Sequence, residues 1–322
     1  MFASLLLILP VFLIILLGVL LDVFRVLPKQ TGSVIGSYVL YVALPILMLH
    51  ILAGSSAQDL LHGGFWAGIL GAQVLVYGLG YGVEFFTGKR GHGPAAIMAL
   101  AGSCSNMAFI GLPVVISLMP GNHEALVAAG LAVITPNVVS IPCLVQLEYL
   151  KHAGDSSRGV LPSLARSVLL NPLMVATGAG FALGLSSLGL WGPLDQAATM
   201  VGNTTAPCML LALGLDLRDK MRVALSAEQR LQPIRLAGTT LVKLVLNPLL
   251  AWALLSLMGV SGTWLAVGVL MSGTATALVT YVIADIYGHI AAEAAMIAVV
   301  TNLLNVVTLT IIAAILRGQG LL

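Results

Sequence analysis

Residues 102–115 read GSCSNMAFIGLPVV, an apolar run interrupted by groups that can hold a solute. Ser103, Ser105 and Asn106 bring hydroxyl and amide groups, while Gly111 and Pro113 loosen the backbone around them. Residues of these types bind through hydrogen bonds and freed main-chain groups; they are not the acids, bases or nucleophiles of covalent catalysis. A second cluster, MSGTATA from Met271, supplies Ser272, Thr274 and Thr276. The matched stretches NVVSIP and NVVTLT add Asn137 and Asn305, 168 residues apart, and the same interval carries Asn106 onto Thr274. For any single residue, close packing of helices through small side chains is an adequate explanation. Pairing at one interval favours a site.

Whatever holds these groups spans a membrane. Of 322 residues, 59% are hydrophobic and 8% charged, against about 25% charged in soluble domains. A spanning helix needs about 20 apolar residues, and the long uninterrupted runs favour helices over the alternation of a barrel. Ten spans are predicted, near 4–22, 32–54, 64–86, 94–118, 124–147, 165–187, 193–216, 235–258, 262–285 and 291–316. The first carries Pro10, has no preceding Lys or Arg and is too long for a secretory signal, so it is expected to stay in the mature chain.

The chain repeats itself. Pro10, Gly18 and Pro45 recur 162 residues on as Pro172, Gly180 and Pro207. Residues 1–150 and 165–322 thus form two five-span halves, and an odd number of spans forces opposite orientations, as in inverted-repeat transporters. If the fourth span starts at Pro94, Asn106 lies about 18 Å in, near the middle of a hydrocarbon layer roughly 30 Å thick. Thr274, Asn137 and Asn305 fall at similar depth. Pro113 cannot donate to the Phe109 carbonyl and crowds it, and Gly111 permits unusual backbone; the ninth span has glycine and hydroxyls but no proline. Two broken helices would aim two positive N-termini at one point, which suits an anion.

Charge sets the topology. Arg25, Lys29, Lys89, Arg90, Lys151, Arg158, Arg166, Arg218, Lys220, Arg222, Arg230 and Arg235 all fall on one side of the predicted spans. That side is cytoplasmic by the positive-inside rule, with both termini outside, and topology accounts for these charges better than nucleic acid does. Lys243 lies within the eighth span, able to snorkel to the cytoplasmic side or to attract an anion. Glu84, Asp285 and Glu293 sit near span ends, solvated or coupled to protons. His50 and Gln73 offer a polar network. Cys104, Cys143 and Cys208 have no metal-ligand spacing and are expected as buried thiols. GLGYG at 78–82, Gly180 and Gly184 are taken as packing glycines.

Several stretches resemble one family. ALPILMLHILAGS, with His50, is similar to the proline-led second helix of the auxin efflux carrier family, which includes plant PIN-type carriers and bacterial malate or malonate permeases. LVQLEYLKHA resembles the end of its fifth helix, SNMAFIGLP its first crossover helix and MSGTATA its second, without the proline. The resemblance implies an all-α, ten-helix membrane fold with crossed helices 4 and 9, similar to bile-acid sodium symporters. It further implies a scaffold of helices 1, 2, 6 and 7, a transport domain of helices 3–5 and 8–10, elevator-type alternating access and a homodimer through the scaffold.

Residues and resemblance together predict a secondary carrier of small organic anions in the inner membrane. The expected substrates are malate, malonate or auxin-like acids. Expected substrate contacts are Asn106, Ser103, Ser105, Gly111, Pro113, Asn137, Ser272, Thr274, Thr276 and Asn305. Lys243, His50, Gln73, Asp285 and Glu84 are assigned to anion attraction or coupling. No cofactor, metal or nucleic acid is expected; the partners are the anion, membrane lipid and a second copy, with proton or sodium coupling. The alternatives are a sodium symporter of the bile-acid type, because carbonyls and hydroxyls of broken helices also ligate sodium, and a solute sensor or channel. An intramembrane enzyme is excluded by the lack of paired mid-span aspartates, a Gly-x-Ser-x-Gly setting or a His-x-x-x-His pair.

Overall fold

The computed structural model describes residues 2–88, 91–151, 171–226 and 233–322. Within the described residues, helix lies in each interval that the hydropathy pattern marks. In chain order these are α1 (Phe2–Val23), α2 (Thr31–Ala53), a short α3 (Ala57–Leu60), α4 (Gly63–Gly88), α5 (His92–Ser103), α6 (Met107–Leu118) and α7 (His123–Lys151). There follow α8 (Pro172–Ser186), α9 (Gly192–Gly202), α10 (Thr205–Ser226), α11 (Pro233–Leu257), α12 (Gly262–Ser272), α13 (Val279–Ile286) and α14 (Ala291–Gly318). The expected helix over 165–170, and Lys89, Arg90, Arg158, Arg166 and Arg230, lie outside the described residues.

Six helical stretches are long and apolar enough to cross a membrane: α2, α3 with α4, α7, α9 with α10, α11 and α14. Shorter apolar helices come from α1, α6, α8 and α12. Large apolar side chains such as Leu13, Leu79, Leu249 and Val307 point outward. In water such a surface would drive aggregation; against lipid tails it is the ordinary exterior of an integral membrane protein.

Three helices widen into a π-turn immediately ahead of an X-Pro pair. The turns are Val39–Ala43 before Leu44-Pro45, Met107–Gly111 before Leu112-Pro113, and Val242–Leu246 before Asn247-Pro248. In each, the N–H of the residue before proline reaches back five residues, to Val39, Met107 and Val242 respectively. A proline ring crowds the carbonyl four residues earlier, and the wider turn relieves that clash without ending the helix. Pro113 therefore shapes the start of α6 and does not make the break that precedes it.

Glycines set how closely the helices approach. A Cβ on Gly18 of α1 would lie 2.5 Å from the Leu211 carbonyl oxygen and 2.9 Å from the Gly214 Cα of α10. Gly180 of α8 meets Leu49 of α2 in the same way, with the Leu49 oxygen 3.1 Å from the added carbon. Gly184 packs there too, against Ser55 and Leu60. In GLGYG only Gly80 is a packing glycine, against Ala99, because Gly78 and Gly82 face open space. Gly18→Val is expected to destabilise the protein by about 1–3 kcal/mol, since backbone cannot yield as a side chain can. Gly78→Ala should be neutral or slightly stabilising; thermal unfolding in detergent compares the two.

Two helices break and cross. α5 stops at Ser103 and α6 begins at Met107; α12 stops at Ser272 and α13 begins at Val279. The intervening strands of backbone run antiparallel and form an isolated bridge between Ser105 and Thr276. The break between α12 and α13 thus forms without a proline.

Candidate functional site at the helix crossover

A broken helix in a membrane leaves peptide groups with no water to take them, so each must find a partner in the protein. Here the two breaks serve each other first. Asn106 N–H donates to the Ala275 carbonyl at 2.8 Å, and Ala277 N–H to the Cys104 carbonyl at 3.0 Å. Side chains take several of the others. Asn305 Oδ1 accepts from Ala275 N–H at 3.1 Å while its Nδ2 donates to the Gly273 carbonyl at 2.8 Å. Thr301 Oγ1 accepts from Thr276 N–H at 3.1 Å, and Thr276 Oγ1 donates to the Ala101 carbonyl at 2.8 Å. From α11, Asn247 Nδ2 donates to the Ser103 carbonyl at 3.3 Å.

Lys243 completes this set. Its side chain is fully buried, and Nζ donates to Ser105 Oγ at 2.5 Å and to the Ser272 carbonyl at 3.0 Å. Ser105 Oγ in turn lies 3.2 Å from that same carbonyl. Lys243 does not snorkel: the crossover supplies acceptors deep in the protein, where a turn toward the surface would leave them empty.

On the other face of the crossover lies a cavity of about 470 Å³. Ser33 and Ser37 of α2 and Asp216 of α10 line one wall; Asn137 and Ser140 of α7, Ser105, Asn106 and the starts of α6 and α13 line the other. Met107, Ala108 and Phe109 begin α6, and Leu278 and Val279 begin α13, so both helix N-termini face this space. The first N–H groups of a helix have no acceptor within it and carry about half a positive charge together. Asn106 Nδ2 is buried and has no hydrogen-bond partner among the described residues. Such a group costs free energy until a water, an ion or a solute meets it, and of the described buried amides without a partner it is the one that borders the cavity.

The expected polar site residues separate into three groups, with Gly111 and Pro113 apart from them. Ser105, Asn106 and Asn137 line the cavity. Ser272, Thr276 and Asn305 are fully buried and hold the crossover itself, so Asn137 and Asn305, though each opens a matching NVV stretch, do different work. Ser103 and Thr274 spend their hydroxyls on carbonyls of their own turn, Ala99 and Met271. Gly111 has ordinary helical angles and is needed for approach instead: a Cβ there would sit 2.6 Å from Met271 Sδ. Pro113 belongs to the first turn after the π-turn.

The ionisable candidates do not form one network. His50 Nδ1 pairs with Asp195 Oδ1 at 2.7 Å, far along α2 from the cavity residues. Gln73 Nε2 donates to Thr135 Oγ1 at 2.7 Å within the core. Glu84 pairs with Arg235 at 3.4 Å, Asp285 is exposed, and Glu293 is buried. Cys104 and Cys143 are buried thiols, whereas Cys208 is partly exposed. Sequence reasoning missed Asn247 and Thr301. Asn247 had a signal, since it stands four residues after Lys243 and shares its helix face.

An all-helical apolar protein with two helices broken around an internal cavity belongs to the membrane transport proteins. A family model described as "Membrane transport protein" matches residues 3–313. The chain belongs to that family, the auxin efflux carriers, and is a transporter, not an enzyme. It is similar to a protein of Rhizobium meliloti (strain 1021) described as "Putative malonate transporter", with 27% identity over 326 residues, covering 98% of this chain and 96% of the relative.

Proposed function

We propose that the protein is a secondary carrier that moves small organic anions, mono- or dicarboxylates of the malonate and malate class or auxin-like acids, across the inner membrane. The observation that carries this reading is the cavity at the crossover, where two helix N-termini and the partnerless Asn106 amide face one space. A carboxylate there would accept from Asn106 Nδ2 and from the first N–H groups of α6, with the N-terminal end of α13, Asn137 and Ser105 beside it. Its volume of about 470 Å³ lies in the usual range for small-molecule sites, roughly 300–1,000 Å³. The name of the Rhizobium relative supports the same substrate class.

In this reading the helices form ten spans in two inverted repeats. Gly18 against Leu211 and Gly180 against Leu49 support it, because both glycines and both partners are related by the same 162-residue interval. The scaffold is α1, α2 and α8–α10, the moving body α4–α7 and α11–α14, and two copies join through the scaffold. The cavity lies between these bodies, which suits an elevator motion of one along the other. It reaches Ser33 and Asp216, close in sequence to Lys29 and Arg218. With basic residues inside and both termini outside, this is the state open to the cytoplasm.

Counterflow in proteoliposomes tests the proposal. Labelled malonate outside is expected to enter faster when unlabelled malonate or malate is enclosed, with saturation. Folded protein that exchanges none of malonate, malate and indole-3-acetate would overturn the reading. Ohmic current in place of counterflow would mean a channel.

A further inference from the structure

The crossover is electrically two-sided. The N-termini of α6 and α13 face the cavity, so the C-termini of α5 and α12, ending at Ser103 and Ser272, face the opposite way. Each helix C-terminus carries about half a negative charge on its unpaired carbonyls. Two of them brought together amount to roughly one negative charge in a place without water. The Lys243 side chain is what meets them. Nζ donates to the Ser272 carbonyl and to Ser105 Oγ, and Asn247 one turn further along donates to the Ser103 carbonyl. Among the described residues no carboxylate pairs with Lys243, although the residue is fully buried. A buried ammonium ion is costly unless opposite charge surrounds it, and the paired helix ends are that charge.

Carbonyl and hydroxyl oxygens gathered at broken helices are the donor set by which a free sodium ion is held. Here an amine already occupies them. We propose that Lys243 is a tethered cation: its ammonium group fills, from within the chain, the place at the crossover that a monovalent cation would otherwise take. Folding and solute binding are then independent of sodium. Resting on the carrier reading, a consequence for coupling follows, namely that sodium does not drive the transport. Ser105 links the two sides, since its hydroxyl accepts from Nζ and also borders the cavity. The fixed charge therefore acts on the anion through one hydroxyl.

Thermal unfolding of detergent-solubilised protein, followed by tryptophan fluorescence in sodium chloride against choline chloride at equal ionic strength, tests this without transport. Wild type is expected to unfold at the same temperature in both salts. Lys243→Ala should unfold earlier in choline and recover by about 2 °C or more, saturably, in sodium, as a ligand that binds only the folded state does. Saturable stabilisation of wild type by sodium overturns the proposal, as does a folded Lys243→Ala protein indifferent to sodium. If the alanine variant does not fold, Lys243→Met, closer in volume, replaces it on the same criterion. In parallel, wild-type counterflow is expected to run equally in sodium, potassium and choline, and a strict need for sodium would overturn the proposal. A protein that exchanges no carboxylate in any of the three salts would sink the carrier reading and leave the thermal comparison standing.

Discussion

Asn305→Leu is expected to lower the stability of the protein by about 2–6 kcal/mol, the largest effect at any polar position considered. Besides a bond to Thr308 Oγ1 in its own helix, the side chain makes two bonds to the break, accepting from Ala275 N–H and donating to the Gly273 carbonyl. Both are peptide groups freed by the break between α12 and α13, and Asn305 is fully buried. Each buried peptide group left unpaired costs about 1–3 kcal/mol. Asn305→Asp keeps the acceptor but sets a second oxygen against the Gly273 carbonyl in a buried place, so it should cost at least as much as leucine. Asn302→Leu serves as the control, because Asn302 Nδ2 donates only to the Ala298 carbonyl of its own helix. The measurement is the unfolding midpoint of purified protein. An Asn305→Leu midpoint equal to that of Asn302→Leu would show that the second break is held some other way.

Asn106→Ala should have the opposite signature. Its backbone N–H, which carries the bond to Ala275, survives in alanine, while the partnerless Nδ2 is removed. The variant is therefore expected to be as stable as wild type or slightly more so, since the buried amide has no protein partner to lose. Transport should suffer. A hydrogen bond to a charged carboxylate contributes about 1.5–3 kcal/mol, which corresponds to roughly a tenfold to hundredfold rise in the concentration for half-maximal counterflow. Asn106→Asp adds a negative charge where the proposed anion would bind and is expected to abolish exchange. Unchanged kinetics in a folded Asn106→Ala protein would remove the site from the cavity wall. Together the two asparagines separate structure from function: one substitution should cost stability, the other activity without stability.

The sequence by itself determined the class of protein and where its helices lie. Hydropathy runs near the bilayer length leave little choice, because a peptide group in lipid must bond within its own helix. It also located the crossover, since serine, threonine and asparagine at mid-span are expensive unless something uses them. The family motifs were legible for the same reason, as they are those expensive residues. What each polar group does was decided only by tertiary structure. Asn137 and Asn305 open matching NVV stretches of sequence, yet one borders the cavity and the other clamps backbone, a difference set by which helix faces each. Gly111 looks like a conformational hinge in sequence and is a contact with Met271 in space. Lys243 had two readings, and the choice between solvent and interior depended on acceptors contributed by α5 and α12, far away along the chain. Periodicity and spacing report what a segment needs for itself. The partner that meets a side chain comes from elsewhere in the chain, and only packing brings the two together.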